Sequence, residues 1–105
     1  MEATDTSAPQ KLASLTGFRR DVLYVIAGSD KLYGLAIKEQ LEVYYESEVN
    51  HGQLYPNLNA LVEQGLVEKG ELDKRTNYYE LTDRGRRALR QRSEWEAQHF
   101  EEVSA

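Results

Sequence analysis

The stretch Asn50–Leu72, NHGQLYPNLNALVEQGLVEKGEL, runs straight into Asp73–Thr82, DKRTNYYELT. Within it Leu54, Leu58, Leu61 and Val62 recur at helical spacing and predict one buried stripe. Gln53 and Asn57 stand four apart on a different face of the same helix. After Gly65, Leu66 and Val67 open an extended run, Tyr78, Tyr79, Glu80 and Leu81 form a second, and residues 70–76 lie between them as a turn. A helix leading directly into a hairpin is the order of a recognition helix and its wing. The expected fold is mainly α with a small β-hairpin: a winged helix-turn-helix, with a final helix for dimerisation.

The polar residues of this stretch fit contact with duplex DNA. The amides of Gln53 and Asn57 suit paired hydrogen bonds to a base edge, and His51 beside them can donate to a base or a phosphate. Lys74 and Arg75 with Thr76 and Asn77 place a basic tip where it can reach the sugar-phosphate backbone or an adjacent minor groove. Taken singly, each of these residues also fits an ordinary solvated surface, and only the helix and wing together favour the DNA reading.

Working outward, 105 residues make one domain. With no cysteine, a disulfide framework, a thiolate nucleophile and cysteine-ligated zinc are all excluded. No apolar run reaches the length of a membrane span, and Met1 to Leu15 lacks the basic start and apolar centre of a signal peptide, so a cytoplasmic chain with no membrane partner is expected. The net charge of −5 argues against DNA binding until its distribution is considered. Residues 69–92 hold eight Lys and Arg against four acids, a local +4 that leaves −9 on the remainder. Such a dipolar chain can offer a basic stripe to phosphates while its other surfaces repel them. The acidic excess also suits a high-salt proteome.

Met1 to Ser14 is polar and without periodicity, which predicts a mobile tail over residues 1–14. Thr16 is a plausible cap for a first helix through Phe18, Val22, Leu23, Val25 and Ile26, ending near Gly28. Asp30 to Gly34 reads as a turn, and Leu35, Ile37, Leu41 and Tyr44 mark a second helix. Asn50 with Gln53 resembles a capping box, but that start puts Pro56 in the second turn; the helix then begins nearer Gly52 or bends at Pro56. Thr82 caps a final helix running to about Glu101. Its stripe of Ala88, Leu89, Trp95, Phe100 and Val103, with Arg92, Glu96 and His99 in register, extends beyond what a three-helix core needs. The reading favoured is a homodimer interface over residues 83–105, formed by Leu89, Arg92, Trp95, Glu96, His99, Phe100 and Val103, with Trp95 and Phe100 as anchors. The alternative is a helix that folds back onto its own core. Residues 15–82 form the winged-helix unit itself.

The runs LYGLAIKEQLE, GQLYPNLNALVEQGLVEK and RTNYYELTDRGRRAL resemble the PadR-like winged-helix transcriptional regulators. The matching pattern is Tyr-Gly at the second helix, Leu-Tyr-Pro in the recognition helix, Glu-x-Gly-Leu-Val at its exit and Tyr-x-Leu-Thr-x-x-Gly after the wing. The resemblance covers Thr16 to Leu89, and the wording RRDVLYVIAG and VNHGQLYPNL is similar to the version in halophilic archaea. It implies a dimeric repressor or dual regulator on a pseudo-palindromic operator, with Tyr55 at the DNA backbone, Gln53 and Asn57 near the major groove and the wing at the flanking minor groove. Many relatives carry a larger C-terminal region or an apolar dimer pore for aromatic effectors. One short terminal helix here puts a small-molecule effector in doubt, and no cofactor is expected.

An enzyme has little support. His51 and His99 stand far apart with no ligand spacing, and no nucleophile motif surrounds a serine, so neither a catalytic residue nor a metal site is assigned. The competing class is a winged-helix module that holds a protein partner without touching DNA.

Overall fold

The computed structural model describes residues 15–100. The first helix, α1, spans Gly17–Ala27. Thr16 caps it as expected, its hydroxyl accepting from the Arg19 N–H at 3.2 Å. Val22, Leu23 and Ile26 are buried along one side, and Phe18 and Val25 pack beside them.

Leu32–Tyr33, expected within a turn, is instead a short strand, β1, leading into helix α2 over Gly34–Tyr45. Helix α2 buries Gly34, Ile37 and Leu41, whereas Leu35 and Tyr44, which also mark the helix in the sequence, stand 58% and 75% exposed. Its end at Glu46 takes a left-handed φ of 57°, which turns the chain out of the helix after the cap N–H has bonded back to the Glu42 carbonyl. The Glu42 carboxylate then accepts from the Val49 N–H at 2.9 Å and from Lys38 at 2.8 Å, fixing the loop into the next helix.

Helix α3 spans His51–Glu63, with Asn50 as its cap accepting from the Gln53 N–H at 2.8 Å. The two alternatives for its start resolve in favour of Asn50, and Pro56 lies within the helix. Proline removes the amide that would bond the Gly52 carbonyl. Both Gly52 and Pro56 are exposed, so water can satisfy that carbonyl. Leu54, Leu58 and Leu61 are buried and Val62 partly so, which is the stripe read from their spacing.

Strands β2, Val67–Asp73, and β3, Thr76–Leu81, form the wing. They run closer to the tip than expected: Asp73 pairs with Thr76, leaving Lys74 and Arg75 alone as the turn. A register irregularity between Glu71 and Asp73 turns Leu72 out, 61% exposed. β1 adds to the other edge of β3 through Leu32 opposite Tyr79 and Tyr33 opposite Tyr78, so the hairpin belongs to a three-stranded antiparallel sheet in the order β1-β3-β2.

Helix α4 spans Asp83–His99. Thr82 caps it by accepting from the Gly85 N–H, and its own hydroxyl donates to the Gly65 carbonyl at 2.7 Å, tying the start of α4 to the end of α3. Gly85 sits so close to the Leu66 carbonyl that any Cβ there would collide with backbone, which accounts for the glycine after Leu-Thr. Ala88 and Leu89 belong to the core of the protomer. Leu89, expected at a dimer interface, is instead 7% exposed inside its own chain. The division at residue 83 does not separate two units, because the first turns of α4 complete the core; the surface left uncovered begins at Arg90. No described helix is long and apolar enough to cross a membrane.

Candidate nucleic-acid interface

Successive residues of a helix turn by roughly 100°, and with Leu54, Leu58 and Leu61 facing inward the outward face of α3 is centred on Gly52, Pro56, Asn59 and Glu63. These include small residues near the start of the helix, so its backbone can approach a flat or grooved partner closely. Asn59 lies at the centre of this exposed face and has no second amide at helical spacing to mark it in the sequence. The expected readers stand on the two shoulders: His51 and Tyr55 on one, Gln53 and Asn57 on the other.

On the first shoulder Tyr55 packs over Gly34. A Cβ at position 34 would collide with the Tyr55 hydroxyl and come within 3.0 Å of two ring carbons. The Tyr-Gly of the second helix and the Leu-Tyr-Pro of the third are thus two halves of one contact, invisible in either spacing. His51 meets the Tyr55 ring edge-on with centroids 5.6 Å apart. Tyr33, Gly34, Leu35, Tyr55, Arg75, Thr76, Asn77 and Tyr79 line a concavity of about 340 Å³. Tyr55, Arg75 and Asn77, expected from separate elements, are therefore brought together. Lys74 is exposed at the tip and does not line this space.

The start of α2 adds to its chemistry. Tyr33 offers no side-chain cap, so the first amides of α2 lack a side-chain acceptor at the rim formed by Gly34 and Leu35. Those amides, a guanidinium and phenol hydroxyls are all donors that suit an anion. Burial, and secondarily Tyr55, raises the pKa of the Tyr79 hydroxyl, keeping it a neutral donor at ordinary pH. The Asp73 carboxylate shapes the tip by accepting from the N–H groups of Arg75 at 2.9 Å and Thr76 at 3.0 Å. Those bonds hold its pKa below the usual carboxylate value. At the base of the wing Lys31 lies over the Tyr78 ring, 4.8 Å from its centroid.

The second shoulder is tied to α1. The Asn57 side chain is half-buried, with Oδ1 accepting from Arg19 Nε at 2.7 Å and Nδ2 donating to the Gln53 carbonyl at 2.7 Å. These two bonds occupy one N–H and one lone pair of the amide and tie the side chain to α1 and to its own helix. Gln53 is exposed. Arg19 escaped the sequence reading because it lies far along the chain from Asn57, and nothing in its neighbourhood signals the contact.

Beyond Arg90 every described residue of α4 is exposed except the half-buried Arg92. Arg92 donates to Glu96 at 3.1 Å and covers the Trp95 ring at 4.6 Å. His99 lies against the same ring at 4.6 Å, its Nδ1 2.9 Å from the Trp95 carbonyl. Trp95 remains 49% exposed and Phe100 77%, on a shallow surface shared with Ser93, Glu96, Ala97 and His99. Val103 and the expected tail over residues 1–14 lie outside the described residues.

The helices, the three-stranded sheet and the projecting hairpin define a winged-helix protein, and residues 22–91 match the PadR-like family of transcriptional regulators. The chain belongs to that family. It is similar to RosR of Halobacterium salinarum: a RosR-S4 complex is 52% identical, covers 90% of this chain and 82% of its own, and superposes with a TM-score of 0.86. A RosR structure grown from sodium bromide is 55% identical over 84% of this chain and 79% of its own, with a TM-score of 0.80. The winged-helix DNA-binding protein F93 from STIV shares the fold at 15% identity, with a TM-score of 0.66 over 80% of this chain and 92% of its own. No curated protein sequence matches the chain.

Proposed function

We propose that this regulator acts as a homodimer on duplex DNA, recognising a pseudo-palindromic operator in a cytoplasm of high salt, with a stress signal as its physiological cue. The start of α3 enters the major groove, and the wing reaches the backbone or the minor groove beside it. The observation that carries this reading is the donor-lined concavity where Tyr55, Arg75, Asn77 and the start of α2 converge. A DNA phosphate seated there fixes the register of α3, and His51, Gln53 and Asn59 are placed to contact the groove. Lys74 at the tip contacts the flanking backbone.

The exposed end of α4 supplies the second half of the reading. Trp95 and Phe100 anchor one protomer to its partner, with Arg92, Glu96 and His99 around them. Two half-sites engaged together raise affinity without new contacts in either. The test is binding of the purified chain to its own upstream region and to a scrambled duplex, across potassium chloride from low to multimolar. Selective binding that persists at high salt is expected. Binding without selectivity at any salt refutes the proposal and favours a protein-binding module.

A further inference from the structure

Arg19 lies on α1, outside the basic stretch of residues 69–92, yet it reaches the edge of α3. Its Nε donates to Asn57 Oδ1 at 2.7 Å, and Asn57 is itself held by its bond to the Gln53 carbonyl. A guanidinium has five N–H donors in one plane, and this bond uses one. The other four, on Nη1 and Nη2, form the outer edge of the group and have no hydrogen-bond partner among the described residues. The bond restrains the long side chain at the Asn57 shoulder of α3, with four donors left over. Arg75 stands beyond the opposite shoulder, so the two arginines bracket the helix.

We propose that Arg19 is the group that contacts DNA on this shoulder and that Asn57 positions it rather than reading a base. A fork of parallel N–H donors recognises two acceptors side by side, either phosphate oxygens or the N7 and O6 edge of guanine. Holding the fork before DNA arrives reduces the entropy lost on binding. Lysine cannot substitute, because it lacks both the Nε donor to Asn57 and the planar fork. This inference rests on the DNA-binding reading above.

The experiment compares the wild-type chain with Arg19→Ala, Arg19→Lys, Asn57→Ala and the double alanine variant, each confirmed folded by circular dichroism. Binding is measured to the upstream duplex and to a scrambled duplex over a potassium chloride series. Arg19→Ala and Arg19→Lys are each expected to weaken operator binding by roughly 10-fold. Equal loss on both duplexes with a shallower salt dependence identifies phosphate as the acceptor; loss confined to guanine at one position per half-site identifies the base. Asn57→Ala is expected to weaken binding in the wild-type background and to add nothing once Arg19 is alanine, as required if it acts through Arg19. Unchanged affinity of Arg19→Ala on a duplex that the wild type binds overturns the inference alone. An Asn57→Ala effect as large without Arg19 as with it also overturns the inference, and a wild type that binds neither duplex overturns the functional reading itself.

Discussion

Gly34→Ala is the substitution that most directly tests how the fold builds the concavity. Alanine is the better helix former, and propensity alone would favour the variant by up to about 1 kcal/mol, less at the first position of α2. Against this, the new Cβ would collide with the Tyr55 hydroxyl and crowd its ring at 3.0 Å. The phenol is stiff and its helix is held by buried Leu54 and Leu58, so relief requires Tyr55 to leave its seat or α2 to shift. Overpacking of this kind costs about 1–3 kcal/mol, which exceeds the propensity gain. A net loss of about 1 kcal/mol follows, lowering the melting temperature by roughly 4–8 °C for a domain of this size. DNA affinity should fall as well, since the displaced tyrosine no longer faces Arg75 across the concavity. Urea titration and operator binding on the same preparation measure both effects. Tyr55→Phe in the Gly34→Ala background should recover part of the stability by removing the hydroxyl, without recovering the affinity. A Gly34→Ala chain that is more stable than wild type and binds DNA equally well would refute the reasoning.

Trp95→Ala should weaken dimerisation, seen by sedimentation, and lower affinity for a full operator through lost bivalency; a monomeric variant with wild-type operator binding would contradict the assigned role. Arg75→Ala should weaken binding to all sequences and reduce the salt slope by about 1; a loss restricted to one base position would show direct readout instead. Asp73 has a lowered pKa in the folded chain, so its contribution to the wing is present above the unfolded carboxylate value of 3.8 and is lost as pH falls through the lower folded value. Exchange of the Arg75 and Thr76 amides, followed by NMR and corrected for the intrinsic pH dependence of exchange, should therefore lose protection in that acid range. Asp73→Asn should remove the acid transition, and an unchanged transition would assign it to another group.

The elements most legible in the sequence were those whose evidence is local. Thr16, Asn50 and Thr82 act as caps because each side chain bonds an amide three residues on, a relation written into the spacing. The stripe Leu54, Leu58 and Leu61 lies on the face its period predicts. Leu35 and Tyr44 mark helix α2 correctly yet stand exposed, because apolar character becomes a buried face only where another element covers it. β1 escaped notice because two residues have no periodicity, and they become a strand only when β3 supplies an edge. Leu89 was drawn toward a dimer surface by its place in a stripe that in fact changes from core to surface along α4.

What the sequence by itself determined is the order of helices, the presence of a wing with Lys74 and Arg75 at its tip, and membership of a winged-helix family. The first two rest on periodicity, capping and turn chemistry that act over a few residues, and the third on the resemblance of whole motif blocks to the PadR-like regulators. Tertiary structure alone decided the chemistry of the two shoulders of α3. Gly34 seats Tyr55 from 21 positions away, and Arg19 holds Asn57 from 38 positions away. Contacts of that range are set by how α1 and α2 pack on α3, because steric exclusion and hydrogen bonding depend on distance in space and leave no period along the chain.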